Sequence, residues 1–443
     1  MSYGQRYASL AAYAGVARAT AGEADSKFVA MKLDSRAMRH LASEDWNVLL
    51  AVERGSRDHE IVPTTLIERF SRTKGGVQRS ISTLAKNGLI ARVKEAKYDG
   101  YRLTYGGIDY LALHHYSQKK EIYSVGSRVG VGKESDITMV ADDKGVQKIL
   151  KIHRLGRISF RTVKSNRDYL KKKQGGSWMY LSKLAAMKEF AFMQVLKEEG
   201  FNVPEPIAQS RHTVLMSFID SYPLRQIQAI PDPASLYGDL MGEIMHFAKH
   251  GLIHGDFNEF NILIKEHVSK ETNEAGEEEE TIALEPVIID FPQMLSMDHE
   301  NAEMYFDRDV ECVKRFFLKR FHFTSSEPGP FFKDAKKTVG QDGARRLDAA
   351  AEATGFTKKM AKDLEKAIRE EEAKKLEKQA AGGRHSDDDD DDENEDEDRD
   401  EDDLEDDETP ADEAQPQEKL ETTDEKVQVD SQQLSQLKIA DTS

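Results

Sequence analysis

The chain has 443 residues, a single cysteine and a net charge of −18. Its length accommodates two or three domains. No 18-residue apolar run exists to span a membrane, the opening MSYGQRYASL lacks the charged-then-apolar order of a secretory signal, and Cys312 supplies neither an internal disulfide nor a zinc thiol set, so a reducing compartment, cytosol or nucleus, is expected.

Residues 34–104 read as a small module. WNVLLAVERG, PTTLIERFS and GGVQRSISTLAKNGLI carry Leu, Ile and Val at helical spacing. IARVK and YRLTY are strand-like runs meeting at the turn Tyr98-Asp99-Gly100. Three helices followed by a two-stranded wing make a winged helix. Its third helix carries Lys74, Gln78, Arg79, Ser82 and Lys86 on or near one face, which suits groove reading. A protein-docking winged helix with a solvated face is the alternative.

From about 122 to 322 the pattern changes to strands and helices in mixture, which predicts a two-lobed α+β domain. GSRVGVGKESDITMV supplies Gly126, Gly130 and Gly132, small enough for backbone N–H groups to approach phosphates. It is not a P-loop, because Ser127 and Glu134 occupy positions that motif reserves for other residues. The strand KILKI follows, with Lys151 placed to pair phosphates and Lys148 as its competitor. RLGRISFRTVKSNRDYLKKK, residues 154–173, has eight Lys or Arg against one Asp, with Phe160 and Tyr169 interleaved. It is either a flexible solvated loop or an RNA contact, in which case Arg154, Arg157, Arg161, Lys164, Lys171, Lys172 and Lys173 are the candidates and binding should be strongly salt-dependent. In the helix LSKLAAMKEFAFMQVLKEEG, Glu189 shares the apolar stripe of Ala185, Phe192 and Leu196, so it needs a partner, and Lys151 is the natural one.

DPASLYGDLMGEIMHFAKHG is a helix with Asp232 as cap, Pro233 in the first turn and Gly251 at its end. The loop His254-Gly255-Asp256 follows, with Asn261 five residues past the aspartate, and Asp290 ends the apolar strand VIID. Two carboxylates and an amide arriving from neighbouring strand ends suit Mg²⁺ beside phosphates. The acidic stretch 266–284 between the two strands is expected to be a surface loop, and roughly 330–378 a helical tail.

Beyond about 375 the chain is rich in Asp, Glu, Gln and Thr and is expected to be disordered. Between Asp387 and Glu408 it carries 19 acids and one base, a charge of −18 in 22 residues, so the other 421 residues sum to zero. The acidity therefore describes a tail, solubilising or partner-binding, and leaves a nucleic-acid partner open for the folded part. Ser386 before the aspartate run suits an acid-directed kinase. Val429, Leu434, Leu437 and Ile439 space like an export helix.

The order of Gly-loop, Lys151, Glu189, Asp256, Asn261 and Asp290 is the protein-kinase order. GVGKESDI, ILKIHRLGR, MKEF, LIHGDFNEFN and IIDFPQM closely resemble the RIO family of atypical serine/threonine protein kinases, and the upstream winged helix resembles its second subfamily. The resemblance covers roughly residues 1–325. It implies a RIO kinase domain over 105–325 (N-lobe about 122–219, C-lobe about 220–325) after a winged-helix domain over 1–104, with a helical extension at 326–378 and an acidic tail at 379–443. By the same resemblance Asp256 is the catalytic aspartate, Asn261 and Asp290 hold Mg²⁺, and Lys151, held by Glu189, grips ATP. Gly130, Val131, Gly132, Lys133, Glu134 and Ser135 cover the phosphates. The backbone of Met216, Ser217, Phe218 and Ile219 is the adenine hinge, Ser217 standing where relatives often have glutamate.

Departures from ordinary protein kinases matter more. HGD replaces HRD, DFP replaces DFG, Asn258 stands where lysine is usual, and no Ala-Pro-Glu follows. Such a site is equipped to move a γ-phosphoryl group and poorly equipped to dock a peptide. The resemblance implies an ATPase switch in cytoplasmic maturation of the small ribosomal subunit precursor, with Asp290 the candidate phospho-acceptor. It also implies rRNA and assembly factors as partners, no membrane, a monomer off the ribosome, and passage through the nucleus as an option. The competing expectations are a catalytically silent rRNA-binding scaffold and a transcription factor using the winged helix.

Overall fold

The computed structural model describes residues 33, 35–59, 61–73, 75–93, 99–132, 134–155, 178–272, 278–353 and 359–366. Helices α1 (Ser43–Gly55), α2 (Thr64–Ser71) and α3 (Val77–Lys86) close over Val48, Leu49, Ile67, Ile81 and Leu84. Each such side chain, fully buried, contributes roughly 1.5–3 kcal/mol. Their sheet has three strands, β1 (Val62–Pro63), β2 (Ile90–Arg92) and β3 (Gly100–Leu103), in the order β1-β3-β2. The expected two-stranded wing therefore gains a short third strand from the residues just before α2. Gln78, Arg79, Ser82 and Lys86 lie exposed on α3, while Lys74 falls outside the described residues.

Helix α4 (Tyr105–Gln118) starts at Thr104, whose hydroxyl accepts the Gly107 N–H at 3.0 Å. Its first half, Ile108 and Leu111, belongs to the winged-helix core. Its second half, Ala112, Leu113 and Tyr116, belongs to a second core built on Val140, Leu150, Ile152 and Leu215. The Tyr116 hydroxyl adds a buried bond to the Thr213 hydroxyl at 2.9 Å. One helix thus serves two cores.

That second core lies under a five-stranded antiparallel sheet of β4 (Ser124–Val131), β5 (Ser135–Ala141), β6 (Gln147–His153), β7 (Pro206–Ser210) and β8 (Thr213–Ser217), in the order β4-β5-β6-β8-β7. Side chains alternate across a strand. On β6, Leu150 and Ile152 face the α4 core, while Ile149 packs toward the larger core on the other side. Lys151 shares the Ile149 side and Lys148 does not. Helix α5 (Trp178–Glu198) supplies Met193, Val195 and Leu196 to that larger core.

The second lobe is mainly helical: α6 (Pro233–Lys249), α7 (Ala302–Phe321), α8 (Phe332–Thr338) and α9 (Leu347–Ala353) surround Leu240, Phe247, Phe306 and Phe317. The cap expected at Asp232 is present, its Oδ1 accepting N–H bonds from Ala234 and Ser235 at 3.0 and 3.1 Å. Gly251 follows the helix at φ +79°, the left-handed setting a helix end favours. Short strands β9 (Tyr222–Pro223), β10 (Leu252–Ile253) and β13 (Leu295–Ser296) flank two long ones, β11 (Ile262–Thr272) and β12 (Glu278–Ile288).

Strands β11 and β12 correct the expectation of a surface loop at 266–284. They pair in register from Ile262↔Ile288 out to Thr272↔Glu278, so the acidic stretch forms the arms of a hairpin. Buried Ile262, Ile264, Val287 and Ile288 anchor its base, and the ladder carries the charged arms outward.

The helical extension folds back onto both lobes. Ala335, Leu347 and Ala351 enter the large core, and Leu364, in the helical residues 359–366, packs with Leu155, Leu181 and Leu184. No described helix is long and apolar enough to cross a membrane. The acidic run, Ser386 and the candidate export helix lie outside the described residues.

Candidate active site

The two lobes bring their polar side chains into one cleft. The Lys151 Nζ donates to Glu189 Oε1 at 2.7 Å and to Asp290 Oδ1 at 2.9 Å. Burial alone would lower the lysine's pKa, but the charges of Asp290 and Glu189 outweigh it and raise it. Burial likewise works to raise Glu189, and the Lys151 ammonium more than reverses this, holding the carboxylate ionised. Lys148, on the opposite face of β6, turns instead to the Glu121 carboxylate at 3.0 Å and to Asp142 at 3.4 Å. Strand alternation decided between the two lysines.

Asp256 leaves β10 on a loop bent by Gly255 at φ +80°. A Cβ there would come within 2.8 Å of the Gln293 carbonyl oxygen, so glycine is required twice over. The two carboxylate oxygens of Asp256 each accept one amide: Asn258 Nδ2 reaches Oδ1 and Asn261 Nδ2 reaches Oδ2, both at 2.9 Å. Burial, and next the negative charge of Asp290, push the Asp256 pKa up. Asn261 gives a further Nδ2 bond to the Asp256 carbonyl at 2.9 Å, and its backbone carbonyl accepts the Ile289 N–H at 3.0 Å. Asp290 follows at φ +73°, a setting that costs an aspartate strain and aims its half-exposed carboxylate at Lys151.

Above these groups the β4–β5 turn carries Gly130, Val131, Gly132, Glu134 and Ser135, Lys133 lying outside the described residues. The Gly132 N–H donates to the Ser135 carbonyl at 2.7 Å. A Cβ at Gly130 would meet nothing closer than 4.0 Å, so packing does not demand that glycine. At the lobe junction Met216 is buried, and the Ser217 N–H is committed to the Glu205 carbonyl at 3.0 Å. That N–H is therefore not one that meets an adenine; the Phe218 and Ile219 backbone follows it, with the Phe218 ring partly exposed.

The sequence reading gave no role to three supporting residues, although it named His254 in the loop. His153 Nε2 donates to the second Glu189 oxygen at 2.7 Å. Asp309 on α7 accepts the Gly255 N–H at 2.7 Å and the Phe257 N–H at 3.0 Å, and burial pushes its pKa up to about 6. A signal for it existed, since Asp309 lies on the buried stripe of Phe306, Val310 and Val313. His254, fully enclosed among Phe247, Phe257 and Phe291, donates from Nε2 to the Ile289 carbonyl at 3.1 Å and accepts the Asp256 N–H at Nδ1. Both bonds fit the neutral ring, and burial lowers its pKa to about 4.

Arg154 requires a correction. The sequence places it among RNA contacts, but it is 3% exposed. Its guanidinium is spent on Asp109 of α4 at 2.9 and 2.6 Å and on Asp136 of β5 at 3.2 Å. Two buried carboxylates claim it where a solvated loop would have left it to water. Arg157, Arg161, Lys164, Lys171, Lys172 and Lys173 lie outside the described residues.

Known proteins match this arrangement along most of the chain. The RIO domain family matches residues 136–270 and 281–328, and the Rio2 N-terminal family matches residues 38–119. A serine/threonine-protein kinase rio2 of Schizosaccharomyces pombe is 50% identical over 337 residues, 76% of this chain and 92% of that protein. The RIO2 kinase of Saccharomyces cerevisiae is 49% identical over 346 residues, 74% of this chain and 78% of the other. The solved Rio2 kinase–ADP/Mg²⁺–phosphoaspartate complex of Chaetomium thermophilum is 70% identical, with a TM-score of 0.70 over 77% of this chain and 100% of that one. With a winged helix ahead of a two-lobed domain, a lysine–glutamate pair in its upper lobe and HGD and DFP loops below, the chain belongs to the Rio2 branch of the RIO serine/threonine protein kinases.

Proposed function

We propose that the cleft binds Mg-ATP and that its turnover acts as a switch in cytoplasmic maturation of the small ribosomal subunit precursor. The observation that carries the chemistry is the meeting of Lys151 with Glu189 and Asp290 above the Asp256–Asn261 pair. Lys151 grips the ATP phosphates and Glu189 holds it in place. Asp256, fixed by two amides and with its pKa raised, orients the attacking hydroxyl and accepts its proton. Gly130, Val131, Gly132, Glu134 and Ser135, with Lys133, cover the phosphates.

The donor set suits magnesium. Asn261 uses Nδ2 for its side-chain bonds to Asp256, leaving a hard amide oxygen, and Asp290 adds a half-exposed carboxylate. Asn261 and Asp290 fill only part of an octahedral shell, which substrate phosphates and water would complete. The ion, when bound, supplies charge neutralisation on those phosphates.

Asp290 is the candidate phospho-acceptor. Attack of its carboxylate oxygen on the γ-phosphorus would form an acyl phosphate and release ADP. The related Chaetomium complex, with ADP, Mg²⁺ and a phosphoaspartate, supports this course. Trapping the enzyme after ATP hydrolysis should place label on Asp290, and an absence of acyl phosphate on both Asp256 and Asp290 refutes the assignment. Parent ATP turnover no higher than the background left in Asp256→Ala would make a silent scaffold the better reading.

The ribosomal part rests on the family resemblance, on the exposed polar face of α3 and on the basic composition of residues 157–173. Replacing Arg157, Arg161, Lys164, Lys171, Lys172 and Lys173 with alanine should flatten the salt dependence of rRNA binding. An unchanged slope discards that contact. A cytoplasmic protein that passes through the nucleus, monomeric off the ribosome, completes the proposal.

A further inference from the structure

We propose that His153 is a positioning residue for phosphoryl transfer: its Nε2–H fixes the second oxygen of Glu189, so that the first stays aimed at Lys151. The inference rests on reading the cleft as a Mg-ATP site and deepens it.

Lys151 and His153 are two apart on β6 and share the face turned to α5, so the strand presents two prongs to one carboxylate. Nζ takes Oε1 at 2.7 Å and Nε2 takes Oε2 at 2.7 Å. All three side chains are nearly sealed, with Glu189 at 1% and His153 at 3% exposure. A carboxylate on a flexible three-torsion stem rotates readily about its last bond. With one oxygen released, both would compete for the same ammonium and draw it from the cleft. The His153 bond prevents that, and it does so without Lys151, because the histidine has its own anchor: its backbone N–H donates to the His212 carbonyl at 2.9 Å.

This independence matters because Lys151 is shared. Its ammonium also serves Asp290 at 2.9 Å, and phosphates would claim it in turn. Whenever Lys151 changes partners, His153 still ties α5 to β6 through Glu189.

Steady-state ATP turnover by the full chain tests the idea, using His153→Gln, which keeps an amide donor, His153→Leu, which fills space without one, and Lys151→Ala. Loss of a hydrogen bond to a charged group predicts a KM for ATP about tenfold higher in His153→Leu, with kcat changed much less. His153→Gln should stay within about threefold of the parent. Parental kinetics in His153→Leu, or equal damage in both His153 variants, would overturn the proposal. Full turnover in Lys151→Ala would instead overturn the Mg-ATP reading of the cleft, and this proposal with it. A readout independent of whether the His153 variants fold is histidine NMR of the parent chain. A protected ring N–H signal should shift on Glu189→Gln, and no shift counts against the bond.

Discussion

Lys151 and Asp290 lie 139 positions apart and meet at 2.9 Å across the interlobe cleft. The aspartate shares the lysine's charge with Glu189, so a phosphate that binds Lys151 would compete with both carboxylates. Lys151→Met should remove both bonds. Turnover is expected to fall by about 10² or more, the usual cost of deleting a charge-stabilising donor. Stability should fall by roughly 3 kcal/mol, because Glu189 remains buried with His153 alone beside it. Steady-state ATP hydrolysis and urea denaturation measure the two effects separately.

Acid should expose His254. The ring is buried neutral with a pKa of about 4, against 6.5 for the ordinary side chain. Between these values the unfolded chain binds a proton that the folded one refuses, so this residue costs stability progressively as pH falls from 6.5 to 4, by about 3 kcal/mol in all. Asp309 works in the opposite direction: its folded pKa of about 6 exceeds 3.8, so the folded form binds the extra proton and gains as pH falls through 6. The two partly offset in the parent protein. His254→Gln isolates the first, and its stability deficit relative to the parent should shrink by about 3 kcal/mol between pH 7 and pH 4. A deficit independent of pH would contradict the neutral ring.

Gly255→Ala should be poorly tolerated. The backbone sits at φ +80°, and the added methyl would lie 2.8 Å from the Gln293 carbonyl oxygen and 2.9 Å from Leu295 Cδ2. The left-handed setting alone costs roughly 1–2 kcal/mol, and relieving the contact would displace Asp256. Thermal denaturation should show the loss, and ATP turnover should fall more steeply than stability does.

Arg154→Ala should behave as a stability variant. It takes the guanidinium away from two buried carboxylates, leaving Asp109 its His212 bond at 2.8 Å, a change expected to cost roughly 3–5 kcal/mol. The salt dependence of rRNA binding by the folded fraction should keep the parent's slope. A lower slope with parental stability would restore Arg154 to the RNA contacts.

The sequence revealed those parts of the site that local rules govern. Strand alternation separated Lys151 from Lys148, a carboxylate on an apolar stripe demanded a partner for Glu189, and Asp232 with Pro233 marked the start of α6. What escaped depends on contacts between distant segments. His153 became meaningful only once α5 lay against β6. Asp309 showed its stripe but not the two loop amides it would meet. Arg154 sat in a basic run whose other members are solvent-loving by composition, and only the arrival of Asp109 from another element drew it inside. The hairpin at 266–284 was masked by its charges, since ladder pairing is blind to side-chain polarity.

The sharing of α4 between two cores has a mechanical consequence. A helix that is interior furniture for both the winged module and the upper lobe ties them together, since Ile108 and Leu111 cannot shift without Ala112, Leu113 and Tyr116. A change of packing in either core is therefore felt by the other through one shared rod.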